Sequence, residues 1–302
     1  MQTITQYDVN MDVRQLETFA AVAARQSFTK AAAELHTVQS AVSATIRSLE
    51  AEIGVPLFDR ALRQIRLTSA GEALLPEARR VLDAVRGARD AVDATVGTVT
   101  GSVALGYMTS VTLVDIPVLL REFAQRHPQV DITLKAAEHG TQGLIDMLRD
   151  GELDLALIAV YHDVPALEIV PIARSPLHLT APVGHPLLGL APLELERVRG
   201  ERFIDFPEGY GVRWLTDAAF GDAGVERHVA FETMDIAAVG ELVENGLGMA
   251  FLPEFILDGL AGVEIVPLEH ELQDMVVSVA TPRSRPLSAA ARAMRSLMLD
   301  PR

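Results

Sequence analysis

SFTKAAAELHTVQSAVSATIRSLEAEIG, residues 27–54, reads as two short helices separated by a break. Ser27 is placed to cap a helix running from about Phe28 to Leu35, and His36-Thr37-Val38 interrupts it. Beyond the break Val42, Ile46 and Leu49 recur at i, i+4 and i+7, so one face is apolar and the other shows Gln39, Ser40, Ser43 and Arg47. Upstream, from Asp12, the apolar Leu16, Phe19, Ala20 and Ala23 recur at spacings of 3 and 4 and predict a preceding helix. The order predicts a helix-turn-helix. Small residues such as Ala31 and Ala32 let helices cross closely, and Gln, Ser and Arg can bond to base edges and phosphates. The plain alternative is a three-helix bundle whose polar face is merely solvated.

The next stretch, PLFDRALRQIRLTSAGEALL, places Arg60, Arg63 and Arg66 in a hairpin-like segment, where a wing would carry cations to the DNA backbone or minor groove. Ser69-Ala70-Gly71-Glu72 has the spacing of a capping box opening a new helix. Along that helix Leu74, Ala78, Val81, Val85, Ala88, Val92 and Thr95 form a heptad seam expected to pair with a second copy or to pack on another domain. Pro76 is expected to kink or reset it. A dimer would set two recognition helices against two half-sites.

Charge separates the chain. Residues 1–99 hold 11 Lys and Arg against 12 Asp and Glu, whereas the remainder holds 15 against 29. Within 27–66 the balance is +1, and a DNA site needs cations placed locally rather than a basic whole. Zero cysteines exclude disulfides, thiolate zinc sites and cysteine nucleophiles. No apolar run approaches the ~18 residues of a membrane span, and MQTITQYDVNMDV lacks a secretion-signal layout, so a cytoplasmic protein without membrane partners is expected.

The segment RQLETFAAVAARQSFTKAAAELHTVQSAVSATIRSLEAEIGVPLFDR, continued by IRLTSAGEALLPEAR, resembles the LysR-type transcriptional regulators, and the resemblance extends over about residues 11 to 298. It implies a winged helix-turn-helix DNA-binding domain at 11–68 and a linker or dimerisation helix at 69–99. An effector-binding domain at 100–302 follows, a two-lobed periplasmic-binding-protein-like α/β fold with lobe I at 101–173 and 276–302 and lobe II at 174–275. It also implies a homodimer, further paired into a homotetramer, on double-stranded promoter DNA, with a small-molecule effector and no cofactor or metal. Met11 resembles the usual family start, so residues 1–10 would be an extension or an alternative start. By position, the implied DNA contacts are Thr29, Gln39, Ser40, Ser43, Arg47 and Arg63. This chain departs from the family pattern at Val38, where a capping Ser is usual and Thr37 would have to cap instead, and at Ala44, where an Arg contact is lost.

After Gly101, short apolar runs (VALGYM, VDITLKA, LDLALIAV, LHLTAPV, RFIDF, HVAFET, GMAFLP, VVSVATP) alternate with amphipathic stretches, which predicts an α/β sheet fold in two lobes. In such folds a ligand sits between lobes, at strand ends and helix N-termini. Thr109 and Ser110, then Thr141, lie at such strand-to-helix passages, and Phe203, Phe206 and Tyr210 would supply aromatic walls across the cleft. The resemblance assigns these six to the effector. Read from the residues alone, the three hydroxyls are equally placed as helix caps. Phe203 and Phe206 are expected on one side of a strand, as core or as wall. Arg213 could pair with an anionic effector or with a neighbouring acid.

No catalytic signature emerges. Leu67-Thr68-Ser69-Ala70-Gly71 lacks the first Gly of a nucleophile elbow, and Gly246-Leu247-Gly248 follows a helix rather than a strand. His270-Glu271 has no second His at zinc-protease spacing. The rival reading is a small-molecule-binding protein or enzyme dimerised by its N-terminal helices.

Overall fold

The structure is a computed structural model that describes residues 11–59, 65–93, 98–109, 112–136 and 139–300. The chain divides into two compact units, Met1–Val92 and Asp93–Arg302.

In the first unit, α1 (Val13–Arg25) opens on a capping box: the Asp12 carboxylate accepts from the Gln15 N–H, and the Gln15 side chain accepts from the Asp12 N–H. Ser27 caps α2 (Phe28–Glu34) as the sequence predicts, and α3 (Gln39–Ile53) ends on Gly54 in the left-handed region. Leu16, Phe19, Val22, Ala31, Ala32, Val42, Ile46 and Leu49 form one core, joined by Leu57 and Phe58. Each large side chain buried there contributes about 1.5–3 kcal/mol of transfer free energy. The Phe58 ring lies 5.4 Å from Phe19 and 5.9 Å from Phe28.

The wing is the antiparallel pair β1 (Phe58–Asp59) and β2 (Arg66–Leu67). The Glu50 carboxylate accepts the N–H groups of Leu57 and Phe58, which ties α3 to the base of this hairpin. Arg60 and Arg63 lie outside the described residues. α4 (Ser69–Asp93) follows with Pro76 inside it, and here one expectation is corrected. The cap is Thr68 rather than Ser69: its hydroxyl accepts from the Gly71 N–H and donates to the Pro56 carbonyl.

The second unit holds two lobes. In lobe I, β3 (Gly101–Tyr107), α5 (Ile116–Arg126), β4 (Val130–Ala136), α6 (Gly140–Arg149) and β5 (Leu155–Ile158) alternate in right order for a parallel arrangement. Two long strands, β6 (Leu167–Ser175) and a late returning strand at Met275–Pro282, complete a five-stranded sheet. Lobe II contains β7 (Leu177–Pro182), β8 (Arg202–Asp205), α7 (Gly211–Asp222), β9 (His228–Glu232), α8 (Ile236–Glu244), β10 (Ala250–Pro253), the short α9 (Glu254–Leu257) and β11 (Val263–Ile265). The return strand is therefore β12, and α10 (Ala289–Leu299) then packs on β3 and α5.

The lobe I order is β4-β3-β5-β12-β6, with β3 parallel to β4 and β5, and β12 antiparallel to both its neighbours. In lobe II, β7 lies between β10 and β11, and β8 pairs with β9 and bridges Met249 through Phe203. Because β6 and β12 stay in the lobe I sheet to Ser175 and from Met275, the chain crosses between lobes about two residues later on the way out, and one earlier on the return, than the sequence suggests.

Candidate functional site

On α3, Val42, Ile46 and Leu49 are buried while Gln39, Ser40 and Arg47 are exposed and Ser43 is half-buried. Thr29, in the first turn of α2, is also exposed, and so is Arg66 on the wing. The polar ridge is loosely tied to itself: Gln39 Nε2 donates to Ser43 Oγ at 3.0 Å and Arg47 Nε to the Ser43 carbonyl at 3.1 Å. These exposed bonds can be exchanged for bonds to bases or phosphates at small cost. Thr37 does not cap α3. The N-cap is Val38, which lacks a hydroxyl, is 64% exposed and leaves the first amides of the helix without a side-chain cap. Such amides are suited to a phosphate oxygen.

The α4 seam splits. Ala78 is buried with the helix-turn-helix core and Leu74 packs beside it, so the first part of the stripe serves its own unit. Val81 and Val92, in the far part of the helix, are 43% and 64% exposed. Thr95 lies outside the described residues.

In the second unit a cleft separates the lobes. Its inner chamber, about 40 Å³, is lined by residues that include Tyr107, Met108, Phe206, Tyr210, Met234 and Met275. An outer chamber of about 230 Å³ shares Ala159, Tyr210 and Gly211 with it and opens past Gln142, His162, Arg213 and Trp214. Backbones approach closely here. A Cβ on Gly140, whose φ is +56, would meet the Tyr210 ring at 2.9 Å, and one on Gly211 would meet the Ala159 carbonyl at 2.6 Å. Both glycines begin helices, α6 and α7, and neither helix has a side-chain cap.

The six residues assigned to the effector fare differently. Thr109 lines the inner chamber and is exposed, seven residues before α5, whose cap is Asp115; it is not a helix cap. Ser110 lies outside the described residues. Thr141 lines the outer chamber but is 5% exposed; its hydroxyl accepts from the Ala159 N–H at 3.1 Å and faces Met108 Sδ at 3.6 Å. It fastens α6 to the end of β5. Phe206 lines the inner chamber, with Tyr210 stacked 6.2 Å away. Phe203 is corrected: it is 1% exposed, edge-on to Phe220 at 5.2 Å in the lobe II core. Three positions rather than two separate it from Phe206, and Phe206 lies beyond the end of β8, so the strand does not set the two on one side.

Arg213 is held by acids of its own lobe. It donates to Asp217 at 2.9 Å, Glu232 at 2.8 Å and the Phe206 carbonyl at 2.9 Å, and it lies 3.8 Å from Asp205. Asp205 in turn lies 2.5 Å from Arg227, whose guanidinium covers the Phe220 ring. Burial pushes the Asp205 carboxyl up to about 6, against the opposing pull of Arg227. Burial lowers the Arg213 guanidinium, but its bond to Glu232 and the charges of Asp205 and Asp217 together outweigh this and raise it. Burial raises the Tyr210 phenol. At the cleft mouth Tyr161 stacks on Trp214 at 5.3 Å, and its hydroxyl accepts from the Val276 N–H.

Sequence reasoning missed the chamber's three methionines and the Asp205–Arg227 pair. They are spread from position 108 to position 275 without common spacing, so only the folded arrangement reveals them. Among the described residues no group of His, Asp and Glu is placed to hold a metal, and no helix is long and apolar enough to cross a membrane.

A winged helix-turn-helix followed in the chain by a bilobed α/β unit with an interlobe cleft defines a ligand-responsive DNA-binding regulator. Residues 13–72 match the model of the bacterial regulatory helix-turn-helix protein, lysR family, and residues 97–300 match the LysR substrate binding domain. The chain belongs to the LysR family of transcriptional regulators. It is 32% identical over 300 residues to the HTH-type transcriptional regulator CfxR of Cupriavidus necator, covering 96% of this chain and 92% of that protein. Its fold is similar to a full-length OxyR variant from Pseudomonas aeruginosa, with a TM-score of 0.76 at 24% identity, covering 95% and 94% of the two chains. It is also similar to full-length CbnR in complex with its target DNA, with a TM-score of 0.59 at 24% identity, covering 95% and 99%.

Proposed function

We propose that this chain binds promoter DNA as a homodimer, further paired into a homotetramer, and that a small molecule in the interlobe cleft sets the geometry of its recognition helices. The observation that carries this reading is α3, whose apolar face is buried while Gln39, Ser40 and Arg47 stand outward. Thr29, Gln39, Ser40, Ser43 and Arg47 are the proposed contacts, joined by Arg63 of the wing. CbnR, solved on its target DNA, supports the docking mode. The exposed Val81 and Val92 are the proposed pairing surface of α4.

On the sensor side, Thr109, Ser110, Phe206 and Tyr210 are the proposed effector contacts, with Thr141 positioning Met108 and Ala159 from behind. An effector shifts the population of states only by its differential affinity for them, so closure of the lobes must create contacts that the open form lacks. In this reading the protein is not an enzyme, uses no cofactor or metal, and works in the cytoplasm beside chromosomal DNA. Selection from a random duplex pool tests it: enrichment of a site with two related half-sites is expected, and no enrichment at moderate salt would favour a small-molecule-binding protein that its N-terminal helices only dimerise.

A further inference from the structure

Lobe II carries a further cavity of about 620 Å³, against about 40 and 230 Å³ for the two chambers of the cleft. It lies between the outer face of α7, the 3-10 turn at Leu195–Val198 and the segment 268–273 that leads into β12. Two of these walls are tied together: the Leu193 N–H donates to the Pro267 carbonyl and the Glu269 N–H to the Leu193 carbonyl. Buried Leu193 and Leu215, with half-buried Leu268 and Leu272, give the cavity an apolar floor. Ala218 and Ala219 of α7 border it, and their short side chains leave space that larger residues would fill. A volume of this order is that of a small-molecule site, for which about 300–1,000 Å³ is usual.

Three separate features give the cavity a sign. Its charged lining residues are Glu194, Glu196, Asp222 and Glu271, with no Lys or Arg among them; Arg197 and Arg199 lie close in sequence but do not line it, and His270 is exposed. The last turn of α7 borders the cavity through Ala219 and Asp222 and holds no basic residue, so the negative end of the helix dipole favours a cation there. Trp214 is the third feature. Its indole stacks on Tyr161, which lines the cleft and not this cavity, so the indole borders the cavity with surface that the stack does not cover. Of the aromatic rings, indole attracts a cation most strongly.

From these features we infer that the cavity is a second small-molecule site, independent of the reading of the cleft, and that its ligand is an organic cation: an ammonium or guanidinium group on an apolar ring or chain. The apolar part covers the Leu and Ala floor, and the cation meets the carboxylates, the end of α7 and the indole. Each exposed carboxylate attracts only weakly, so selection comes from four of them acting on one charge.

The test uses the full chain and three probes of one size: 2-phenylethylamine, the neutral 2-phenylethanol and the anion phenylacetate. Affinity is measured by saturation-transfer NMR and by emission of Trp214, the only tryptophan, which borders the cavity. At low salt the amine is expected to bind at least about tenfold more tightly than phenylacetate, with the gap narrowing at about 0.5 M salt. Ala218 is exposed and lines this cavity but not the cleft, so Ala218→Phe is expected to abolish amine binding by filling the space. A second variant, Glu194→Gln, Glu196→Gln, Asp222→Asn and Glu271→Gln together, changes exposed positions alone and is expected to bring the amine down to the affinity of the alcohol. Phenylacetate bound as tightly as the amine, or an amine preference that survives the neutralised variant, would overturn the assignment of a cation. Amine binding that survives Ala218→Phe would place the ligand elsewhere and overturn the site. No amine binding up to about 10 mM would overturn the inference, and in that case saturable binding of a lysine-rich helical peptide, or self-association lost in Ala218→Phe, would seat a protein partner or a second copy there instead.

Discussion

Replacing Arg213 with Gln isolates what the buried ion network contributes. The guanidinium is 15% exposed and joins α7 to Glu232 of β9 and to the Phe206 carbonyl, which follows β8. Its partners Asp217 and Glu232 are 51% and 50% exposed, so each ion pair is worth under about 1 kcal/mol after solvent screening. The bond to the Phe206 carbonyl is worth about 1 kcal/mol, and the nearby Asp205 is left with Arg227 alone. A loss of about 2–3 kcal/mol follows, somewhat below that for breaking a fully buried pair. With a urea dependence of about 2–3 kcal/mol per molar for a unit of this size, the sensor midpoint should fall by about 1 M. Trp214 emission follows that unit alone, because the chain has no other tryptophan. Glu232→Gln, which removes one exposed partner, should move the midpoint by less than half as much. A shift under about 0.2 M for Arg213→Gln, or equal shifts for the two variants, would refute the claim that this arginine braces the lobe.

Asp205 gives a pH signature. Its folded carboxyl sits at about 6 against an ordinary 3.8, so the folded state holds the proton more tightly, and this group's contribution falls as pH rises from 3.8 to 6. The stability advantage of the unaltered chain over Asp205→Asn should therefore shrink by up to about 3 kcal/mol across that window; a constant difference between paired thermal melts would contradict it. Val81→Glu with Val92→Glu should weaken self-association at least about tenfold without loss of helix, as read by sedimentation and circular dichroism; unchanged mass at every concentration would place the pairing surface elsewhere. Arg63→Ala should weaken all duplex sequences alike and flatten the salt dependence by about one unit of slope, whereas a loss confined to one site would make it a base contact.

Much of the DNA-binding unit is legible because it depends on local chemistry. Apolar periodicity, Ser27 and the alternation of buried and exposed positions on α3 are all short-range features. The error at the α4 start is not local: Thr68 and Ser69 both fit a cap by sequence, and Thr68 is held in that role by a bond to Pro56, twelve residues away. Larger elements escaped for tertiary reasons. β6 contains Pro171, which argues against a strand; it is tolerated because β6 is an edge strand and its register with β12 shifts beside that proline. α7 begins at Gly211, contains a second glycine near its end and has no side-chain cap, so its sequence carries no start signal. Yet α7 supplies both the outer wall of the cleft and Arg213. The cleft's identity as a Met-lined chamber was not legible, since it is assembled from both lobes.

The recognition ridge itself is best tested at Ser40, which is exposed in the first turn of α3 and has no role in the core. Binding of the selected duplex by Ser40→Glu, measured at fixed salt beside the unaltered chain, reports directly on whether this ridge meets DNA. The account predicts a loss of at least about 100-fold with an unchanged circular dichroism spectrum, because a carboxylate would be forced against phosphates and base edges. Affinity within about twofold of the unaltered chain would mean that DNA binds some other surface.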